Sequence, residues 1–351
     1  MSGNISRRRA LAAGTFSAGA LAAFPQKSAA GELLPDVWGE DFMLQWSPPD
    51  NVKRDITPGP TPVRLSCAGY GIHLPRGNRS KIVPLGQQVK SVRDNGYTAV
   101  ESSSLNWLDL PDSQIRELHD ALKQHDVLFY TLHQWQNILD PNPELAERNI
   151  RGIITGVESA ERIGVENVVM HIGNRSAGPP ALAHKDNWTR ETWEAGIAVT
   201  KRILKETAGS KINLAFEAVN CLSNNTPQSH LRIRKDVGDP RVKVCLDPTN
   251  MMHPGVYFRT TELINQCFDL IGEDIMFCHA KDSTWEGMSA AVHEGAVLGA
   301  GTMDYEQFLA RLSRMKYTRA MLIEHLPNEQ YPQCRQFLLD TAAKIGVKIY
   351  S

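Results

Sequence analysis

Four apolar runs in the second half of the chain each end on a side chain that can ligate a metal. They are Asn213–Glu217, Val242–Asp247, Ile275–His279 and Ala320–Glu324. The four end residues fall roughly 30 to 45 positions apart with helix-like sequence between, the length a parallel strand pair needs for its crossover. If the runs are neighbouring parallel strands, Glu217, Asp247, His279 and Glu324 meet at their C-terminal ends. Three carboxylates and one imidazole form an oxygen-rich pocket for one divalent cation.

Four further strand candidates precede these runs: Val63–Cys67, Thr98–Glu101, Val127–His133 and Asn167–His171. Asn95-Gly96 marks a turn before the second, and Gly164 a helix stop before the fourth. Helical patterns lie between. Asp112-Ser113 could cap a helix through Ile115, Leu118 and Leu122, and Pro143 opens one that runs to Ile163. Residues 187–207 and 303–315 also repeat their apolar positions near 3.6, the latter with Asp304 or Thr302 as cap. Eight strands alternating with about eight helices predict an α/β fold, a (β/α)8 TIM barrel over residues 63–351. A doubly wound open sheet gives a similar pattern but would spread the four ligands along an edge, whereas a closed barrel lets them converge.

The ordered motifs carry a specific resemblance. They are Gly96-Tyr97-Thr98-Ala99-Val100-Glu101, His171-Ile172-Gly173, Glu217-Ala218-Val219-Asn220, Asp247-Pro248-Thr249-Asn250, His279-Ala280-Lys281-Asp282, Gly299-Ala300-Gly301-Thr302-Met303-Asp304 and Ile323-Glu324-His325. Over residues 63 to 326 the chain resembles the xylose-isomerase-like barrel superfamily of sugar isomerases and epimerases. The resemblance implies that Glu217, Asp247, His279 and Glu324 hold the cation, Mn²⁺ as first choice with Mg²⁺, Co²⁺ or Zn²⁺ as alternatives, and that Glu217 and Glu324 also serve as base and acid. A sugar hydroxy-carbonyl can meet such an ion through two neighbouring oxygens, and the ion then stabilises the enediolate left when a proton is removed beside the carbonyl. The substrate side of the expected site comprises Lys281, Asn250, Glu101, His133 and His171, the two histidines being equally suited to packing. Asn220 is placed to hold Glu217 or its loop.

One position departs from the pattern. Many epimerases of this group carry His three residues after the strand-six Asp, where this chain has Asn250. An amide exchanges hydrogen bonds but shuttles no protons near neutral pH. The endonuclease IV branch also needs that His, within a trinuclear zinc site, and an Asp-x-His pair after strand seven that this chain lacks. The same chemistry can expel a leaving group β to a carbonyl, so a keto-glycoside lyase or hydrolase is the alternative reading. A non-catalytic sugar-binding barrel is the third.

The N-terminus suggests where this happens. Ser6-Arg7-Arg8-Arg9-Ala10-Leu11 is a twin-arginine pattern, followed by an Ala/Gly/Leu stretch to Phe24 and the small-x-small site Ser28-Ala29-Ala30. Residues 1–30 are therefore expected to engage the twin-arginine export machinery, carrying the folded protein to a periplasmic or other extracytoplasmic destination without a stable membrane anchor. Sugar phosphates are cytoplasmic, so the expected partner is an uncharged sugar or glycoside, and the protein is a candidate homo-oligomer. Residues 31–62 are Pro-rich and hold Trp38, Phe42 and Trp46, which reads as an irregular extension on the barrel. The chain has 38 basic and 39 acidic residues, and losing Arg7, Arg8, Arg9 and Lys27 leaves it net acidic, against a nucleic-acid surface. The six cysteines show no C-x-x-C spacing and sit largely in apolar runs, as buried free thiols do.

Overall fold

The computed structural model describes residues 48–50, 52–74, 83–104, 106–286 and 291–351. The twin-arginine segment and Trp38, Phe42 and Trp46 lie outside the described residues. Strands β1 (Arg64–Cys67), β2 (Ala99–Ser102), β3 (Leu128–His133), β4 (Asn167–Met170), β5 (Asn213–Glu217), β6 (Val242–Leu246) and β7 (Ile275–Ala280) follow in chain order. A hairpin of β8 (Asp282–Glu286) and β9 (Ala291–Ala296) comes next, and β10 (Ala320–Ile323) is last. All but the hairpin form one parallel sheet in the order β1-β10-β7-β6-β5-β4-β3-β2. The amide of Thr98 donates to the carbonyl of Leu65 at 3.0 Å, bringing the two ends of that sheet together as a nearly closed barrel.

Among the described residues eight α-helices alternate with the strands: α1 (Leu85–Asp94), α2 (Asp112–His125), α3 (Pro143–Ile163), α4 (Arg190–Glu206), α5 (Pro227–Val237), α6 (Thr260–Ile271), α7 (Tyr305–Ser313) and α8 (Tyr331–Ile345). Their ends follow local chemistry. Asn142 caps α3 by accepting from Glu144 and Leu145, Pro143 occupies its first turn, and Gly164 ends it in the left-handed region at φ 71°. Thr226 and Ser229 form a reciprocal capping box on α5. Asp304 caps α7 by accepting from Gln307, as expected. The cap before α2 differs from expectation. Asp112 is already helical, and Pro111 takes the cap position, where its ring offers no acceptor to the first-turn amides.

Residues 52–62 run against α7. Arg54 pairs with Asp304 at 2.7 Å and Glu306 at 2.9 Å, and the Gly59 amide donates to the Ser313 hydroxyl at 2.8 Å. A Cβ at Gly59 would collide with the Ser313 carbonyl, so this approach needs glycine. All six cysteines are free thiols, five of them buried. Among the described residues no helix is long and apolar enough to cross a membrane.

The barrel interior sets the site. Ala99, Tyr130, Val169, Ala215, Cys245, Phe277 and Ala320 form a buried cluster separate from the larger layer between sheet and helices. Side chains alternate along a strand with period two. Two residues on from this cluster come Glu101, His171, Glu217, Asp247 and His279, and four on from Ala320 comes Glu324. The same alternation that fills the barrel therefore aims every predicted ligand inward at its C-terminal end.

Candidate metal centre

Glu217, Asp247, His279 and Glu324 are all buried, and one ligand atom from each lies within 4.8 Å of the other three. Nδ1 of His279 is 2.8 Å from Glu324 Oε1, 3.1 Å from Glu217 Oε1 and 3.7 Å from Asp247 Oδ2. The Lys281 ammonium completes the cluster at 2.9 Å from Asp247 and 3.0 Å from Glu324. Burial opposes ionisation of Glu217 and Glu324, but His279 and Lys281 outweigh it and hold both carboxyls well below their usual range. Burial likewise opposes protonation of His279, and the carboxylates of Glu324 and Glu217 override it to hold the imidazole well above its usual value. Lys281 is raised in the same way, burial being outweighed by Asp247, Glu324 and Glu217.

These residues fit a divalent cation. Each buried carboxylate costs several kcal/mol of desolvation unless positive charge compensates it. Glu217 Oε2 is buried and takes no hydrogen bond among the described residues. A donor set of three carboxylates and one imidazole suits Mn²⁺, Mg²⁺ or Co²⁺ better than a thiolate-seeking ion.

The expected neighbours divide into three groups. Asn250, Lys281 and His133 line a cavity of about 420 Å³ that opens over Glu217 and Glu324. The Asn250 amide donates to Glu217 Oε1 at 2.9 Å and accepts from Lys281 at 3.1 Å, so it touches a ligand as well as the cavity. His171 and Glu101 are not on the cavity lining. His171 is fully buried with the edge of Trp135 across it at 4.8 Å, and its Nδ1 meets the Glu217 carbonyl at 3.3 Å. Glu101 lies near Tyr130 at 3.5 Å, and its carboxyl is pushed up to about 7, chiefly by burial. Asn220 lines the cavity but donates to the Met252 carbonyl at 3.4 Å. The backbone of Glu217 is held by Asn224, which donates to its carbonyl at 2.9 Å.

His133 and His171 present Nε2 to Glu217 Oε2 at 3.6 and 3.7 Å. Burial drives the His133 imidazole down to about 4 and lowers His171 as well. His325, directly after Glu324, adopts φ 61°, a left-handed conformation uncommon outside glycine, and lines the cavity. Trp135 carried no sequence signal, and His325 stood in the Ile323-Glu324-His325 motif without a role assigned to it.

The hairpin and the glycine-rich loop are joined by Asp282. Its carboxylate accepts from the amides of Ser283 at 3.0 Å, Gly299 at 3.0 Å, Gly301 at 3.1 Å and Met303 at 3.4 Å. Two motifs distant in sequence are thus one clamp beside Lys281. A Cβ at Gly301 would strike Asp282 and the Ser283 carbonyl. Asp282→Ala is expected to lower unfolding free energy by about 2–4 kcal/mol, since hydrogen bonds to a charge are worth about 1.5–3 kcal/mol each but are not additive. Urea denaturation measures this, and a change below about 0.5 kcal/mol, the range of an ordinary surface substitution, would contradict the clamp.

Residues 89–341 match the xylose isomerase-like TIM barrel family. The chain belongs to that family. A probable endonuclease 4 of Haloarcula marismortui is 23% identical to it over 235 residues, 64% of this chain and 80% of that protein. A xylose isomerase-like TIM barrel protein from Mycobacterium smegmatis, solved in complex with magnesium, superposes with a TM-score of 0.59 at 17% identity, covering 81% of this chain and 97% of its own. D-psicose 3-epimerase from Clostridium cellulolyticum H10, solved with D-tagatose, gives 0.57 at 15% identity over 81% and 99%. At these identities the two structures speak for the fold.

Proposed function

We propose that this member of the family is a divalent-metal-dependent sugar isomerase or epimerase that moves a proton at the carbon beside a carbonyl. The observation that carries this is that Glu217 and Glu324 belong to the four-residue donor cluster and also line the cavity. When bound, the cation supplies a Lewis acid that polarises a sugar carbonyl. One of the two glutamates takes the proton and the other returns one to the carbon or its neighbour. Their surroundings hold them ionised, which suits the base; the glutamate that returns a proton must first take one up from solvent through the cavity that both line. Asn250 fixes the Oε1 edge of Glu217, and Lys281 brings a buried positive charge to the cavity wall where negative charge develops. A neighbouring fold solved with D-tagatose and another solved with magnesium support a sugar and a cation as ligands.

One observation favours a second reading. The cavity lining includes the apolar side chains of Trp135, Ala181, Val219 and Met252 as well as its charged residues. An aglycone fits there, and elimination from a keto-glycoside would use the same proton abstraction. The chain's similarity to an endonuclease 4 is read as kinship of fold, because Asn250 stands where that chemistry needs a histidine and the chain without residues 1–30 is net acidic. The twin-arginine pattern makes the working compartment extracytoplasmic in this proposal.

Proton NMR in D₂O with Mg²⁺ and a panel of ketoses and keto-glycosides tests these readings. Deuterium entering beside the carbonyl with an isomeric product is the expected result. Aglycone release selects elimination. Neither, from protein that holds its cation, contradicts both and leaves a barrel that only binds.

A further inference from the structure

We propose that Cys245 is the positioning residue for the imidazole of His279. The inference rests on His279 being a ligand and adds what orients it. Cys245 on β6 and His279 on β7 project into the barrel from neighbouring strands, with Sγ 3.3 Å from Nε2. The opposite nitrogen, Nδ1, faces Glu324, Glu217 and Asp247. A nitrogen that ligates must offer its lone pair, so the ring hydrogen belongs on Nε2, and the sulfur is the group placed to accept it.

Among the described residues the hydrogen-bond partner of Nε2 is the Cys245 sulfur. Both residues are sealed from solvent, at 0% and 1% exposure, so bulk water cannot serve as the acceptor. The aromatic neighbours of His279 are the rings of Phe277 and His133, at 6.0 and 6.2 Å between centroids. In the same interior layer the Tyr130 hydroxyl is directed to Ser66 and Glu101 at 3.5 Å, and Val169, Ala215 and Ala320 carry no polar side-chain atom. Metal-ligating histidines usually give their second N–H to a carboxylate, carbonyl or water. A thiol is a weaker acceptor. It fixes the tautomer and the ring plane without adding a fourth negative charge beside Glu217, Asp247 and Glu324.

The test is equilibrium Co²⁺ binding to the full chain and to Cys245→Val, Cys245→Ala and Cys245→Ser, with melting curves for each cation-free protein. Val and Ala remove the acceptor with different volumes, so a variant that fails to fold leaves the other to decide. Both are expected to weaken Co²⁺ binding about 10- to 100-fold, the usual effect of losing such a partner. Ser keeps an acceptor and is expected to bind close to the unaltered protein. In the Zn²⁺-loaded protein, ¹⁵N NMR is expected to show the His279 hydrogen on Nε2. Undiminished binding by Val or Ala, or an equal loss in Ser, overturns the proposal. A sulfur-to-cobalt charge-transfer band overturns it too, by making Cys245 a ligand. If the unaltered protein binds no Co²⁺, the metal reading itself falls and takes this one with it, a failure distinct from the others.

Discussion

Glu217→Gln is expected to reduce turnover by at least roughly 10²–10⁴-fold, the usual contribution of one general acid or base. The amide has nearly the shape of the carboxylate, so the barrel should fold normally. It cannot take a proton, and it removes one negative charge from the cation's donor set. Two measurements separate these effects. Cation affinity should fall, and saturating Mn²⁺ should restore binding without restoring turnover. Glu324→Gln should behave alike, because Glu324 shares both the cluster and the cavity. Asp247→Asn should differ, since Asp247 is fully buried and not on the cavity lining. Its loss is expected to be rescued in part by excess cation. Full recovery of Glu217→Gln by Mn²⁺ would show that Glu217 only ligates.

Adding the cation is expected to stabilise the fold. A ligand that binds only the native state at a hundredfold excess over its Kd contributes about 2.7 kcal/mol, or roughly 5 °C in melting temperature for a chain of this size. Lys281→Met should enlarge the difference between chelator and Mg²⁺. Without Lys281 three buried carboxylates face one imidazole, and breaking a buried charge pair costs about 3–5 kcal/mol. The cation should recover much of that loss. The sign of the pH effect follows from His279, whose folded-state value is raised. In chelator, its stabilising contribution is fully present below the ordinary imidazole value and fades as pH rises through the folded one. Cation affinity should increase across the same window, as ligand protons leave. Differential scanning calorimetry in chelator and in Mg²⁺ reads both trends. Identical melting curves would contradict a cation held by this cluster.

The barrel was legible because its strands are short apolar runs that end on polar side chains. Parallel strands buried on both faces read this way, and the runs ending on Glu217, Asp247, His279 and Glu324 coincide closely with β5, β6, β7 and β10. Helix α3 was legible at both ends, since Pro143 and Gly164 are chemical punctuation. The β8–β9 hairpin was not, because Asp282-Ser283-Thr284-Trp285-Glu286 has neither clean alternation nor an apolar core and reads as loop. Asn224 escaped notice for a different reason. A side chain seven residues beyond Glu217 reaches back to its carbonyl only because the chain after β5 turns on itself. Asn220, nearer in sequence, reaches Met252 instead. Cys245 looked like any thiol in an apolar run, and its pairing with His279 exists only once β6 and β7 lie side by side.

The central claim is that Glu217, Asp247, His279 and Glu324 hold one divalent cation. Anomalous diffraction at the manganese edge, from crystals grown with Mn²⁺, tests it most directly. The account predicts a single strong peak enclosed by those four side chains and lost in Asp247→Asn at the same Mn²⁺ concentration. A map with no peak there, or with its strongest peak outside the barrel mouth, would contradict it.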